Sequence, residues 1–301
     1  NLFNDSTVLA PTAVPLKVVK NKDGDLFITI TPTVAYKAIV IKDITDTEQL
    51  LSFSNFTNVY YAFYLDPTDT SCNSEEIFTS FDGTGITLDL LGLGVTGVKD
   101  LEFAIDNDRT SFSKISVGII SAEASMYQDI YFSTTATTED ILDLSIRPKS
   151  GFLVNAAVLQ NITIELYKEE EVVFSQDLDA AIILEADPNQ DGEITNITTT
   201  PGVEFDRLRV TLTSPLGVNL DQQVDLFNVK VTPPPIVLPP GTEIQSFCVV
   251  PKAFISDLKA TATGTPIWYD QETGGTAYAA NTALEDGKIY YGANLTGTCE
   301  S

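Results

Sequence analysis

Two stretches of this chain, about 169 residues apart, pass through the same features in the same order. The first runs from Lys22-Asp23-Gly24-Asp25 through a strand-like segment to Ile30, then Thr31-Pro32, then an alternating run that ends at Ile41. The second runs from Gln190-Asp191-Gly192-Glu193 to Thr200-Pro201 and the alternating run Phe205-Asp206-Arg207-Leu208-Arg209-Val210. Asp-Gly supplies a hairpin turn, and Thr-Pro makes a corner that a central strand does not pass. Both copies close on a further alternating run, near Val59 and near Val224. Unrelated hairpins share one such feature by chance; four in one order point to a duplicated β module. Residues 1–70 are then expected to be the C-terminal part of a preceding β-sandwich module whose first half lies upstream. Residues 71–232 are expected to be a complete copy.

Period-two alternation supports strands throughout. Ile162, Ile164 and Leu166 share one face while Thr163, Glu165 and Tyr167 take the other; Leu208, Val210 and Leu212 do the same against Arg207, Arg209 and Thr211. Ala38–Ile44, Val59–Leu65, Ile141–Ile146 and Val224–Val231 are expected strands of the same kind, and no stretch keeps a helical apolar period over three capped turns. The composition agrees, being 43% hydrophobic and 20% charged, with a single Met. The fold class is therefore all-β: tandem antiparallel β-sandwich, jelly-roll-like modules followed by a small β domain. The boundary is the run Pro233-Pro234-Pro235-Ile236-Val237-Leu238-Pro239-Pro240-Gly241, which favours polyproline II and marks a semi-rigid linker over 233–243 before a domain over 244–301.

Charge and residue type exclude several functions. The formal charge of −25 repels phosphate backbones and anionic lipid surfaces, which argues against nucleic-acid partners. With no histidine, the Ser-His and Cys-His catalytic pairs are unavailable. Glycoside hydrolysis needs two carboxylates and no histidine, but the many acids here alternate on strands or sit in turns, as on a solvated face, so no enzyme is expected. No apolar run is long enough to span a bilayer, and Asn1 opens without Met or a signal-like stretch, as in a soluble segment of something larger.

The cysteines are Cys72, Cys248 and Cys299. A bridge between Cys248 and Cys299 would close a loop of about fifty residues, stabilise the small C-terminal unit by about 3–4 kcal/mol, and imply an extracytoplasmic compartment. The other reading is two buried free thiols, and Cys72 is left over in both.

The C-terminal segment carries Phe247-Cys248, Gly264-Thr265-Pro266-Ile267-Trp268-Tyr269-Asp270, Thr273-Gly274-Gly275-Thr276, Asp286-Gly287-Lys288-Ile289-Tyr290-Tyr291 and Thr298-Cys299-Glu300-Ser301. These residues resemble the Ig-like repeats of very large Bacteroidetes surface proteins, including giant adhesins exported by the type IX secretion system and the mobile filaments of gliding motility. The resemblance implies an Ig-like fold, a structural and adhesive role at the cell surface, and partners in an extracellular surface or polysaccharide, neighbouring modules, and the outer-membrane secretion and motility machinery. The middle module is similar to galactose-binding or discoidin-like jelly rolls. Ala104-Ile105-Asp106-Asn107-Asp108-Arg109-Thr110 looks like that family's Ala-x-Asp-Gly-Asp-x-x-Thr loop, which holds a structural Ca²⁺, although Asn107 replaces the glycine and the Asp108–Thr110 interval is one residue short. The resemblance makes Ala104, Asp106, Asp108 and Thr110 candidate calcium ligands.

A second candidate calcium loop comes from spacing alone. Asp187, Asn189, Asp191 and Glu193 place oxygen donors at alternate positions, with Gly192 after Asp191, but Thr198 stands where a bidentate acid is expected, and an Asp-Gly turn accounts for the segment without an ion. Tyr60, Tyr61, Phe63 and Tyr64 present aromatics either to a sugar or to a packed sheet. The functional expectation is a structural, adhesive repeat of a cell-surface filament; the alternative is a carbohydrate-binding, lectin-like module of a secreted protein.

Overall fold

The computed structural model describes residues 2–4, 7–8, 16–30, 37–39, 58–63, 77–84, 97–118, 124–150, 161–178, 194–214, 222–248, 250–297 and 299–301. The strands are β1 (Leu2–Asn4), β2 (Thr7–Val8), β3 (Leu16–Lys20), β4 (Leu26–Ile30), β5 (Ala38–Ile39), β6 (Phe78–Thr84), β7 (Gly97–Lys99), β8 (Ser113–Gly118) and β9 (Ala124–Ala136). There follow β10 (Ile141–Ser150), β11 (Ile162–Lys168), β12 (Glu171–Asp177), β13 (Thr195–Thr199), β14 (Phe205–Ser214), β15 (Gln222–Thr232), β16 (Thr265–Tyr269), β17 (Tyr291–Thr296) and β18 (Cys299–Glu300). Two short 3-10 turns, Leu101–Ala104 and Ile255–Asp257, complete the described elements, so the fold is all-β and its paired strands are antiparallel. The chain divides into two units, residues 1–19 with 26–66, and residues 20–25 with 67–301.

In the second unit two sheets pack face to face. One has the order β13-β10-β15-β8-β7 and the other includes β12-β11-β14-β9-β6. The alternation read from sequence sets the faces: Ile162, Ile164, Leu166, Leu208, Val210 and Leu212 point inward and meet Leu142, Leu144, Ile146, Val224 and Leu226 of the opposite sheet in one core. Each such buried side chain contributes about 1.5–3 kcal/mol relative to exposure. Gln128 is buried in this interior with its hydrogen bonds made: Nε2 donates to Thr79 Oγ1 (2.9 Å) and to the Leu101 carbonyl (3.0 Å), and Oε1 accepts from Ser113 Oγ (2.5 Å).

The turn Asn21–Asp25 begins this unit. Asn21 Oδ1 accepts the amides of Asp23 (3.1 Å) and Asp25 (2.8 Å), Gly24 takes the left-handed φ of 81°, and Lys20 Nζ reaches Glu102 Oε2 at 3.2 Å. The Asp-Gly hairpin turn expected from sequence is formed here by side-chain capping.

The first unit contains β1, β2 and β5 in one small sheet, and the hairpin partners β3 and β4. Of the expected strand Ala38–Ile44, the described part is Ala38–Ile39. Residues 59–63 of the expected strand Val59–Leu65 are described and lie outside any strand, fully exposed. Among the described residues no strand pairs with them.

The C-terminal segment forms the sheet β16-β17-β18 with a small interior of Ile255, Trp268 and Ala293. The proline run lies against it. Val237 exchanges both backbone hydrogen bonds with Thr261 (2.7 and 2.8 Å), and a Cβ added to Gly292 would come within 2.1 Å of Ile236 Cδ1 and 2.9 Å of the Trp268 ring. The bridge expected between Cys248 and Cys299 is corrected by the structure. Cys248 is a free, exposed thiol, whereas Cys299 is disulfide-bonded. The physical reason is that the Cys299 sulfur, in β18 opposite Thr296, is already committed to a disulfide that does not include Cys248, which lies exposed three residues after Gln245, whose side chain bonds Lys259 through Nε2 to its carbonyl and Oε1 to its amide (both 2.8 Å). Cys72 lies outside the described residues.

Candidate functional site

Alternation along β4 sends Leu26 and Ile28 to one side and Phe27 and Thr29 to the other. On the Phe27 side two further rings gather. Tyr61 stands 5.9 Å from Phe27 at an interplanar angle of 71°, Phe63 stands 5.8 Å from it at 84°, and Tyr61 and Phe63 are 5.9 Å apart. Phe27 meets both rings edge-on, an arrangement favoured by the ring quadrupoles, and the Tyr61–Phe63 pair is tilted at 31°. Tyr60, Tyr61 and Phe63 are 88, 64 and 52% exposed. Chemically the patch is an exposed aromatic surface with a phenol hydroxyl at Tyr61, and the exposed phenol of Tyr60 is next to it in sequence. Sequence alternation found Tyr60, Tyr61 and Phe63; it missed Phe27, whose only signal is its place in a run with Leu26 and Ile28. Tyr64 lies outside the described residues.

The outer side of β9, β14 and β11 holds a different arrangement. The register pairs Arg209 with Asp129 and Glu165, and Arg207 with Tyr131 and Tyr167. Rings and guanidiniums then alternate across the strands: Arg209 lies 3.7 Å from the Tyr127 centroid and 5.0 Å from Tyr167, and Arg207 lies 4.1 Å from Tyr167 and 5.7 Å from Tyr131. Asp129 closes the ladder with a two-pronged bond to Arg209, Nε to Oδ1 at 2.6 Å and Nη2 to Oδ2 at 2.8 Å. Tyr131 Oη donates to Asp129 Oδ2 at 3.1 Å, Tyr167 Oη donates to Glu165 Oε2 at 3.1 Å, and Arg207 Nη2 donates to Glu170 Oε2 at 3.2 Å. Glu170 belongs to the acidic run after β11, which is the turn into β12; the Glu169 amide there donates to Asp206 Oδ2 at 2.7 Å. Arg207 Nε is buried without a hydrogen-bond partner, and its guanidinium is held instead by the Tyr167 face.

Burial opposes the charge on Arg209, yet the bond to Asp129 outweighs it and holds the arginine above its usual range. Burial, and then the charge of Asp129, push the Tyr131 phenol up to about 12. The unfolded phenol titrates near 10, so the stabilisation tied to neutral Tyr131 is complete below about pH 10 and is lost as pH rises through about 12. Urea midpoints measured across that window should fall for the natural protein and fall less for Tyr131→Phe. Equal alkaline slopes for the two would show that the phenol is not the group lost.

A second buried charge pair lies on β10 and β15. Arg147 Nε and Nη2 donate to Asp225 Oδ2 at 2.9 and 2.7 Å, Gln223 Nε2 donates to Asp225 Oδ1 at 2.5 Å, and the guanidinium sits between Phe112 (4.9 Å) and Phe227 (5.0 Å). Among the described residues the buried charged side chains are Asp129, Asp225 and Arg207. Both of these carboxylates are held by arginine.

The loop from Ala104 to Ser111 brings its candidate ligands together, but around its own donors. Asp106 Oδ1 accepts the Asp108 amide (2.8 Å) and Asp106 Oδ2 accepts Ser111 Oγ (2.6 Å); Asp108 Oδ1 accepts both the amide (2.8 Å) and the hydroxyl (2.7 Å) of Thr110. Asn107 stands at φ 62°, the left-handed region that the glycine of the resembling motif would take without strain. The bonds from the Thr110 hydroxyl and amide hold the Asp108 carboxyl below its ordinary range. Ser111, one residue beyond Thr110, is the hydroxyl that closes on Asp106, which restores the interval the sequence appeared to lack. Calcium takes six to eight converging oxygens. Here the carboxylate oxygens point at the loop's own amides and hydroxyls, and among the described residues no group of three or more acidic or thiol side chains converges as a metal site. Asp187, Asn189, Asp191 and Glu193 lie outside the described residues.

No family model matches the chain. No curated protein matches it either. Solved structures similar to it include the Streptococcus pneumoniae fucose binding module SpX-3, at 15% identity over 51% of this chain and 92% of that one, with a TM-score of 0.29. CBM32-3 from a family 31 glycoside hydrolase of Clostridium perfringens has 14% identity over 45% of this chain and 85% of that one, with a TM-score of 0.30. The enzymatically active domain of the bacteriophage CBA120 tailspike protein 4 has 12% identity over 51% of this chain and 19% of that one, with a TM-score of 0.31. Superpositions at this level assign a role to no residue of the present chain.

Proposed function

We propose that this chain is a non-catalytic, carbohydrate-binding segment of an extracellular protein. The observation that carries the reading is the ring cluster of Phe27, Tyr61 and Phe63, in which Tyr61 and Phe63 are exposed along with the adjoining Tyr60. One face of a pyranose is lined by C–H groups and stacks on such rings, while its rim hydroxyls take the phenol oxygens as partners. Stacking of a planar ligand on a protein ring contributes about 1–3 kcal/mol in the best-measured case, that of nucleobases, and a comparable value here gives roughly tenfold or more per ring. A glycan array probed with the natural protein should show reproducible binding, and Tyr61→Ala and Phe63→Ala should each weaken the best binder by about tenfold. Silence on the array, or binding indifferent to both substitutions, removes the reading. Polysaccharide is the partner this reading names.

A second reading, an adhesive repeat of a surface filament with gliding-type secretion and motility partners, is favoured by the Arg–Tyr ladder. Alternating rings and guanidiniums fastened by Asp129 stiffen an open sheet face, which suits a segment that carries load. Counting modules in the full-length gene product, and measuring surface attachment of cells that lack it, tests this role. Among the described residues no helix is long and apolar enough to cross a membrane.

A further inference from the structure

A disulfide needs two sulfurs, and the chain has three cysteines. Cys299 is disulfide-bonded, and Cys248 is a free, exposed thiol. Within one chain the second sulfur is then that of Cys72, and the compact unit that takes in Pro67–Ser301 contains both positions. The Cys299 end of the bond is built into the fold. Cys299 stands opposite Thr296 in β18, and two residues later Ser301 is bonded twice to Asn294: its amide donates to the Asn294 carbonyl (3.1 Å), and its hydroxyl accepts the Asn294 amide (3.0 Å). Asn294 is fully buried, and its Nδ2 donates to the Pro234 carbonyl at 2.8 Å. Whatever is bonded to Cys299 is therefore fastened to β17 and, through Asn294, to the proline run.

We infer that Cys72 and Cys299 share one disulfide, and that it is a clasp. It closes the 71–232 module, the proline run and the C-terminal segment into one covalent ring of about 230 residues. The run over 233–243 is then no spacer to a free-standing domain, because the segment beyond it is tied back to the residues that open the sandwich. The bond forms when two thiols give up two protons and two electrons to an external disulfide, which leaves as a dithiol. Bonds of this kind persist outside the reducing cytosol, in agreement with the extracellular reading. The clasp is independent of the glycan reading, since Phe27, Tyr61 and Phe63 precede Cys72 and stand outside the ring.

Lys42, Lys99, Lys230, Lys252 and Lys288 put the three cysteines in three different tryptic peptides, 43–99, 231–252 and 289–301. The 301-residue chain, its free thiols capped with iodoacetamide and then digested without reductant, should yield 43–99 joined to 289–301, with the cap on 231–252. A phosphine should separate the pair, the disulfide becoming two thiols as the phosphine takes up oxygen from water. Cys248→Ser should leave the joined product unchanged. In urea, the unfolding equilibrium constant of the C-terminal segment, read from Trp268 emission, should rise by roughly 100-fold or more in Cys299→Ser and by the same factor in Cys72→Ser, because both lose the same bond. A cap on Cys72 overturns the inference, as does 289–301 joined to 231–252 or to a second copy of itself. So does a constant that neither substitution changes.

Discussion

Replacing Asp129 by alanine is expected to destabilise the 77–232 sandwich by about 3–5 kcal/mol, because it strips the counter-charge from arginines that are already out of water. Arg207 is 3% exposed and Arg209 is half-buried, and Asp129 binds the latter through both of its oxygens while lying 4.0 Å from the former. In a unit of this size the loss corresponds to a fall in melting temperature of roughly 10 °C. The pair Asp129→Leu with Arg209→Leu should recover much of it, since removing both charges also removes the cost of holding one alone. Lys168 and Glu204 supply the contrast: they are bonded to one another, but each is about half exposed, so Glu204→Gln should cost less than about 1 kcal/mol. Chemical denaturation of the three variants separates these outcomes. If Asp129→Ala costs no more than Glu204→Gln, the ladder is decoration and the load-bearing reading loses its support.

That ladder also marks how far the sequence is legible. Local alternation is enough to place Leu208, Val210 and Leu212 inward and Arg207, Arg209 and Thr211 outward, because side-chain direction on a strand depends only on position. It cannot say that Arg209 will face Asp129, 80 residues away in the chain, because that depends on which strands are neighbours and in what register. Tyr127, Tyr131 and Tyr167 are missed for the same reason. The loop at Asp106 shows the opposite case: its composition announces oxygen donors, but composition does not say whether they turn toward an ion or toward their own amides. The cysteines show a third. Loop-closure entropy tells how much a Cys248–Cys299 bridge would stabilise, not whether the sulfurs meet, and here Cys299 is bonded elsewhere while Cys248 lies exposed in irregular chain.

Besides the disulfide that holds Cys299, the C-terminal segment is fastened by one buried amide. Asn294 is fully buried; its Oδ1 accepts the Gly264 amide (2.9 Å), and its Nδ2 donates to the Pro234 carbonyl and to Thr263 Oγ1 (both 2.8 Å), fastening the proline run to β17. Gly264 has no room to adjust, since a Cβ there would lie 2.1 Å from the Leu295 carbonyl oxygen. Asn294→Ala leaves a buried N–H and a buried C=O unpaired at about 1–3 kcal/mol each, for a total of about 2–6 kcal/mol. A β unit of some sixty residues seldom has more than about 3–5 kcal/mol in hand, so the substitution should open it as far as the disulfide at Cys299 allows. Trp268, the chain's single tryptophan, lies buried in this segment and reports on it alone. Its emission should shift to that of a solvated indole in Asn294→Ala, and protease should cut first within residues 244–301, while the thermal transition of the 77–232 sandwich stays where it was. The same burial means that the Asn294-Leu295-Thr296 sequon can be modified only in an unfolded segment. A buried Trp268 in Asn294→Ala would mean that the proline run is held by the Val237–Thr261 pairing and Ile236 packing, with the amide redundant.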